Sequence, residues 1–264
     1  AAHAMAPVME DFYAFLIDTE MATTRRLKNH VTNVVGCKMP VTDTQVSYGT
    51  AGGIKRETEI SDYIDIHAYW QHPSYTKDEK GTTIAFRIQN SADIASPSGG
   101  CIIQLAPWRV QGKPFSVSEY NIPAPNDHSA DLFLLYSVIA SIQDWDAFFS
   151  YTYFDFGRDY SKPYIRSYFQ IAHRDSMLVH MPFASILYRN RLMPTAAKQT
   201  VIGIPRNQIA SLTSHHKGPV ALLSQLGGEA IAAVSQRIVN RIVDDIDKPA
   251  LVEGKGKAIK EGNR

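Results

Sequence analysis

GKPFSVSEYN, residues 112–121, is the stretch on which the fold reading turns. Phe115 and Val117 alternate with Ser116 and Ser118 at the two-residue period of a strand, and Pro123 and Pro125 break the chain soon afterwards. The stretch therefore reads as a buried strand ending in Ser-Glu-Tyr-Asn. Next comes SADLFLLYSVIASIQDW (129–145), a strongly apolar helix, and then DAFFSYTYFDF (146–156), an aromatic-rich strand. A helix between two strands is a crossover, which calls for parallel pairing.

Upstream, DYIDIHAYW (62–70) alternates as well. Ile64, Ile66 and Ala68 share one face, and Tyr63, Asp65, His67 and Tyr69 share the other. Such a polar face belongs either to an edge strand in water or to a parallel barrel whose strands point polar residues into its mouth. PVTDTQVSYG (40–49) reads as a further strand closed by a glycine turn, and residues 8–35 as a helix with Phe12, Phe15, Leu16, Thr19, Ala22, Leu27, Val31 and Val34 at helical spacing. The opening AAHAMAPVMEDFYAF reads as a loop entering that helix, without the pattern of a signal peptide. Gly52-Gly53 and Gly99-Gly100 read as turns, the charged KRETE segment as loop, and residues 71–97 as irregular. GGCIIQLAPWRV (99–110) is a short helical piece, and SMLVHMPFASILYR (176–189) a helix interrupted by Pro182. The order is α-β-β-α-β-α-β-α, a parallel sheet under helices, with too few strands to close an eight-stranded barrel.

From Lys198 the texture changes. KQTVIGIPRN reads as one strand, GEAIAAVSQRIVNRIVDDI as a helical stretch, and EGKGKAIKEGNR as a polar, fraying tail. The expected division is residues 1–196 and an accessory region, 197–264.

With 264 residues, 44% of them hydrophobic and 20% charged, the composition suits a globular chain with a sizeable core. Lys and Arg total 27 against 26 acidic residues, so charge gives no reason to expect a nucleic-acid or membrane-surface partner. No apolar run is long enough for a membrane span. Cys37 and Cys101 read as free thiols. His215-His216 lacks a third ligand at metal-site spacing and reads as surface loop. There is no phosphate-binding loop, dinucleotide fingerprint or GxSxG elbow.

Chemistry concentrates at Glu119. A carboxylate at the C-terminal end of a parallel strand, among Tyr and Asn donors, can stay ionised and attack carbon; the alternative is a helix cap or an arginine's partner. His67 is a proton-active group or a hydrogen-bonded interior histidine. Trp70 and His72 line a cleft, although a surface loop also accounts for His72. Gln45 is a cleft hydrogen-bonder. Tyr151 and Tyr153 alternate with Ser150 and Thr152 and are expected on the cleft side.

SEYNIPAPN followed by the apolar helix and IQDWDAFFSYTYFDF resembles the strand-7 to strand-8 region of the clan A retaining glycosidases. DIHAYWQHP (65–73) is similar to their strand-6 region, the segment from the first helix to PVTDTQ to helix 4 and strand 5, and MPFASILYRNRLMP to helix 8. The resemblance spans roughly residues 8–195. It implies an α/β fold made of strands 5–8 of a (β/α)8 TIM barrel, followed by a β-rich accessory domain. It also implies hydrolysis of β-glycosides with retention, on a carbohydrate substrate and without cofactor. Glu119 takes the position of the nucleophile, Tyr69 of the hydroxyl that approaches it, and His67 stands beside them. Tyr120, Asn121 and Trp70 would contact sugar. The family's acid/base, a Glu usually preceded by Asn, has no counterpart, since no Asn-Glu pair occurs here. A binding relative without chemistry and a half-barrel that self-associates through its open edges are the alternatives. Secretion or periplasmic export is the family-level expectation.

Overall fold

The computed structural model describes residues 2–154, 161, 163–165 and 167–252. Helix α1 runs over Ala2–Asn29 and ends in a π-helical turn, His30–Val34, so the expected opening loop is helical. The expected face of α1 is not the buried one. Ile17, Met21 and Thr24 form the buried stripe, while Phe12, Phe15 and Leu27 are more than half exposed. Helix α2, Ala51–Glu59, replaces the loop expected around KRETE, with Gly52 and Gly53 in its first turn. A Cβ at Gly53 would fall 2.4 Å from the Val46 carbonyl oxygen, so only glycine lets α2 start against the preceding turn.

The fold is a mixed α/β structure with a parallel sheet of three strands and two further sheets. Strands β1 (Ile64–Tyr69), β4 (Phe115–Asn121) and β5 (Ala147–Ser150) lie side by side in that order, all parallel. Among the described residues the sheet does not close on itself. The strand expected at 40–49 does not form; this stretch runs beside β1 with the Asp62 amide donating to Val41 O and the Val46 amide to Asp65 O. Residues 71–97, expected to be irregular, contain the antiparallel hairpin β2 (Ser74–Lys77) and β3 (Thr83–Arg87). Both hairpin strands are exposed throughout, so they carry no alternation of burial that a sequence could betray.

Crossovers follow the expected order. Helix α3, Gly100–Gln104, precedes β4, and the apolar helix α4, Asp131–Gln143, connects β4 to β5. Helices α5 (Asp175–Leu178) and α6 (Met181–Arg189) follow, with Pro182 in the first turn of α6, where its lacking N–H costs nothing. Asp155 and Phe156, the end of the third expected strand, lie outside the described residues, as does the tail from 253.

Beyond residue 196, β6 (Gln199–Pro205) forms as expected, followed by helices α7 (Ile209–Ser214) and α8 (Pro219–Gln225). The helical stretch expected over 228–246 is instead a 3-10 turn, Ala230–Val234, and a strand, β7, Arg237–Val243. Ile238, Val239, Ile242 and Val243 satisfy both periods, and their β-branching suits a strand. β7 pairs parallel with β6, and β8 (Ala250–Val252) lies antiparallel on the other side. One hydrophobic cluster runs from Ile17 through Ile64, Val117 and Tyr136 to Ile204, Leu222 and Ile238, with no break in packing at 196.

Candidate active site

Strand β4 carries one residue too many for its neighbours. Ile66 pairs with Val117 but His67 with Glu119, and on the other side Phe148 pairs with Val117 but Ser150 with Tyr120. Ser118 is the extra residue, a β-bulge. Phe115 and Val117 are fully buried on the helix side, and strict alternation would send Glu119 after them. The bulge resets the phase, so Ser116, Ser118 and Glu119 all lie on the polar face with Asp65, His67 and Tyr69.

On that face Tyr69 donates its phenolic hydrogen to Glu119 Oε2. His67 Nδ1 stands 3.4 Å from the same oxygen. The other end of the imidazole is held from below: Nε2 is 2.7 Å from Ser118 Oγ and 3.4 Å from Asp65 Oδ2. Asp65 is buried and receives the Ser118 hydroxyl at 2.6 Å, the Ser118 amide at 3.1 Å and the Ser116 hydroxyl. Asp65 is thus saturated, whereas the Glu119 side chain remains 31% exposed and open to a ligand. Asp65, Ser116 and Ser118 were not expected as site residues; alternation places them on the polar face, but only the bulge brings Glu119 among them.

Rings enclose Tyr69. Phe169 lies against it at 4.4 Å between centroids, with His72 at 5.8 Å and Tyr151 at 6.4 Å, both edge-on. Phe169 reaches the site from a loop without sequence pattern, and nothing in its surroundings announces it. Its neighbour Tyr168 bonds to the Tyr75 hydroxyl and packs on Phe86, so the missed hairpin extends the aromatic surface from Tyr69 outwards.

Of the remaining expected residues, Gln45 supports the site from behind: its side-chain oxygen accepts the His67 amide at 2.9 Å, and its amide group donates to Tyr48 Oη. Trp70 spends its indole N–H on Ser91 O and packs on the core. Asn121 is fully buried and donates to the carbonyls of Tyr151 and Phe169 at 2.5 and 2.6 Å, so it ties down the ring-bearing loops instead of touching sugar. Tyr120 does not face the cleft either. The same bulge that frees Glu119 buries Tyr120 on the helix side, where its hydroxyl donates to Asp93. Tyr153 lines a separate apolar groove of about 540 Å³ between β5 and α6, with Phe148, Met181 and Tyr188.

Asp93, Tyr120 and Cys101 form a buried cluster with structural consequences. Burial pushes the Asp93 carboxyl up from its usual range, only partly offset by Tyr120 and the Cys101 and Ile102 amides. Burial, with Asp93 beside it, holds the Cys101 thiol well above its ordinary value, which disfavours the thiolate. Both cysteines are free. His215 is exposed and its Nδ1 contacts Ser211 O, and among the described residues no three His, Cys, Asp or Glu gather as a metal set. No helix among them is long and apolar enough to cross a membrane. Comparison with protein-family models, curated proteins and solved structures finds no match for this chain.

The assembled groups give a carboxylate about a third exposed at the C-terminal end of a parallel strand, with a hydroxyl donor and an imidazole on one of its oxygens. Among the described residues no hydrogen bond or ion pair reaches its second oxygen, and Glu119 neither caps a helix nor pairs with an arginine.

Proposed function

We propose that the protein is part of a retaining β-glycosidase in which Glu119 is the nucleophile, its three parallel strands β1, β4 and β5 corresponding to strands 6–8 of a (β/α)8 barrel. The observation that carries this reading is the convergence of Tyr69 and His67 on Glu119 Oε2 at the mouth of the parallel sheet. In the first step a lone pair of Glu119 attacks the anomeric carbon as the glycosidic C–O bond breaks, giving a covalent glycosyl-enzyme. Water then opens that ester and restores the carboxylate. Tyr69 keeps Glu119 in its attacking orientation, and the belt of Tyr151, His72, Phe169 and Tyr75 offers flat apolar faces for sugar rings. Retention needs a second carboxylate about 5–5.5 Å from the first to protonate the leaving oxygen. Asp65, the other carboxylate on β1 and β4, is saturated by serine hydroxyls and does not serve, so the acid has to come from outside these two strands.

This suggests a test that does not depend on the acid. A 2-deoxy-2-fluoro-β-glycoside with dinitrophenolate as leaving group departs without protonation, so Glu119 alone suffices to be labelled. Mass spectrometry of the peptide containing Glu119, over a panel of gluco, galacto, manno and xylo reagents, should find one sugar attached, and Glu119→Gln should stay unlabelled. Failure of the whole panel would remove the nucleophile role.

The uncovered apolar faces support one further proposal, that this chain associates through its open flanks. Phe12 and Phe15 on α1 and Phe183 and Ile186 on α6 are each about half exposed or more, and among the described residues β5 has a strand partner on one side only. Sedimentation should show concentration-dependent mass that Phe15→Glu with Ile186→Glu abolishes; a monomer at all concentrations would count against it.

A further inference from the structure

The hydrogen bonds beneath His67 fix more than the position of the ring. Ser118 Oγ has a single hydrogen, and it is directed at Asp65 Oδ2, 2.6 Å away. The Ser118 amide and the Ser116 hydroxyl also point at Asp65, so this carboxylate acts as acceptor on every side. Ser118 Oγ, having given its hydrogen away, meets His67 Nε2 at 2.7 Å as an acceptor. The hydrogen of that contact therefore belongs to Nε2, which also faces Asp65 Oδ2 at 3.4 Å. Nδ1 is left opposite Glu119 Oε2 at 3.4 Å.

We infer that Asp65 is a positioning residue of this site: through Ser118 it fixes a hydrogen on Nε2 of His67 and leaves Nδ1 as the ring atom that faces Glu119. As an account of catalysis this rests on Glu119 being the nucleophile; as a statement about the ring it does not. Neutral His67 in this tautomer keeps Nδ1 as the site for a second proton. A proton taken up there from water stands between Nδ1 and Glu119 Oε2, giving imidazolium beside carboxylate, and the Nε2 hydrogen stays in place throughout. The opposite tautomer would aim two lone pairs, those of Nε2 and Ser118 Oγ, at each other, a buried clash that Asp65 forbids by holding the serine hydrogen.

Ring-nitrogen NMR on the full chain with 15N-labelled histidine tests this without any substrate. The His67 signals are assigned by their loss in His67→Gln and recorded at a pH where the ring is neutral. A protonated Nε2 and a bare Nδ1 are expected. In Ser118→Ala the two ring shifts should move toward each other as the tautomers mix, and Ser118→Thr, which keeps a hydroxyl, should restore the single pattern. A bare Nε2 in the unaltered chain overturns the inference whether or not the variants fold, and so does a folded Ser118→Ala with an unchanged spectrum. The expected pattern in a chain that no fluoroglycoside labels would uphold the tautomer and remove the glycosidase reading.

Discussion

His67 faces Glu119 across the β1–β4 ladder, although one step earlier Ile66 faces Val117, so Ser118 stands between the two pairs without a partner on β1. Deleting Ser118 would make Glu119 follow Val117 directly, so simple alternation keeps Glu119 on the polar face and Tyr120 on the buried one. What is lost is the Ser118 hydroxyl, which donates to the buried Asp65 and contacts His67, at a cost of about 1–3 kcal/mol. The expected outcome is a lowered denaturation midpoint with Glu119 still open to labelling. Ser118→Gly, which loses the same hydroxyl but keeps the extra residue, should cost about as much; loss of Glu119 labelling in the deletion alone would mean that parity does not set the direction of Glu119.

Tyr69 gives Glu119 its one phenolic hydrogen bond. A bond to a charged group at a site about a third exposed lies near the low end of the usual range, about 1.5 kcal/mol. Tyr69→Phe keeps the ring against Phe169 and should slow covalent labelling roughly tenfold without changing the fold. An unchanged labelling rate would leave Tyr69 a packing residue only.

Asp93 makes stability depend on pH in a definite sense. Burial raises its folded-state value, so the protonated form is the one the fold favours. Its contribution is fully present below the ordinary carboxylate value of about 4 and is lost as pH rises through the raised value. Asp93→Asn has no such step. The difference in melting temperature between the two proteins should therefore change across that window, to the disadvantage of the unaltered chain as pH rises. A constant difference would show that Asp93 titrates as it does unfolded.

Asn121 holds two carbonyls that carry the rings around Tyr69. Asn121→Ala leaves Phe169 O with the Thr152 amide and takes from Tyr151 O its side-chain donor, a loss of about 1 kcal/mol. Beyond the shift in midpoint, amide exchange should quicken around Tyr151 and Phe169 while the centre of α4 stays protected. Uniform quickening throughout the chain would mean that Asn121 supports the fold as a whole and not this loop pair.

Strands β1 and β4 and the helix between β4 and β5 were legible because each places apolar residues on a single buried face, as Ile64 and Ile66 or Phe115 and Val117 do. Legibility failed where that relation breaks. PVTDTQV reads as an extended run of β-branched residues, but only isolated backbone bonds at Val41 and Val46 join it to β1. The helix α1 was correct in place and reversed in face, because Phe12 and Phe15 are as apolar as Ile17 and Met21 and periodicity cannot say which side is covered. At the site, Glu119, Tyr69 and His67 were readable, since all three sit near strand ends with the right parity once the bulge is counted. Tyr120 was assigned to the wrong face for want of that bulge, which no residue type in SVSEYN signals. Phe169 arrives through tertiary contact alone.

The C-terminal strand β7 is wired into the segment that leads to β4. Asn240 donates its amide to Arg109 O and its side chain to Pro107 O, and accepts from the Gln111 amide. Gln143, at the end of α4, accepts the Ile238 amide and donates to Ala233 O. Residues 197–243 thus brace the segment that enters β4 and the end of the helix that leaves it, and a protein engineer who trimmed them as an appendage would unseat both flanks of the strand that carries Glu119. Calorimetry should record a single melting transition for both regions, and a chain ending at residue 196 should be degraded by trace protease under conditions in which the longer chain survives.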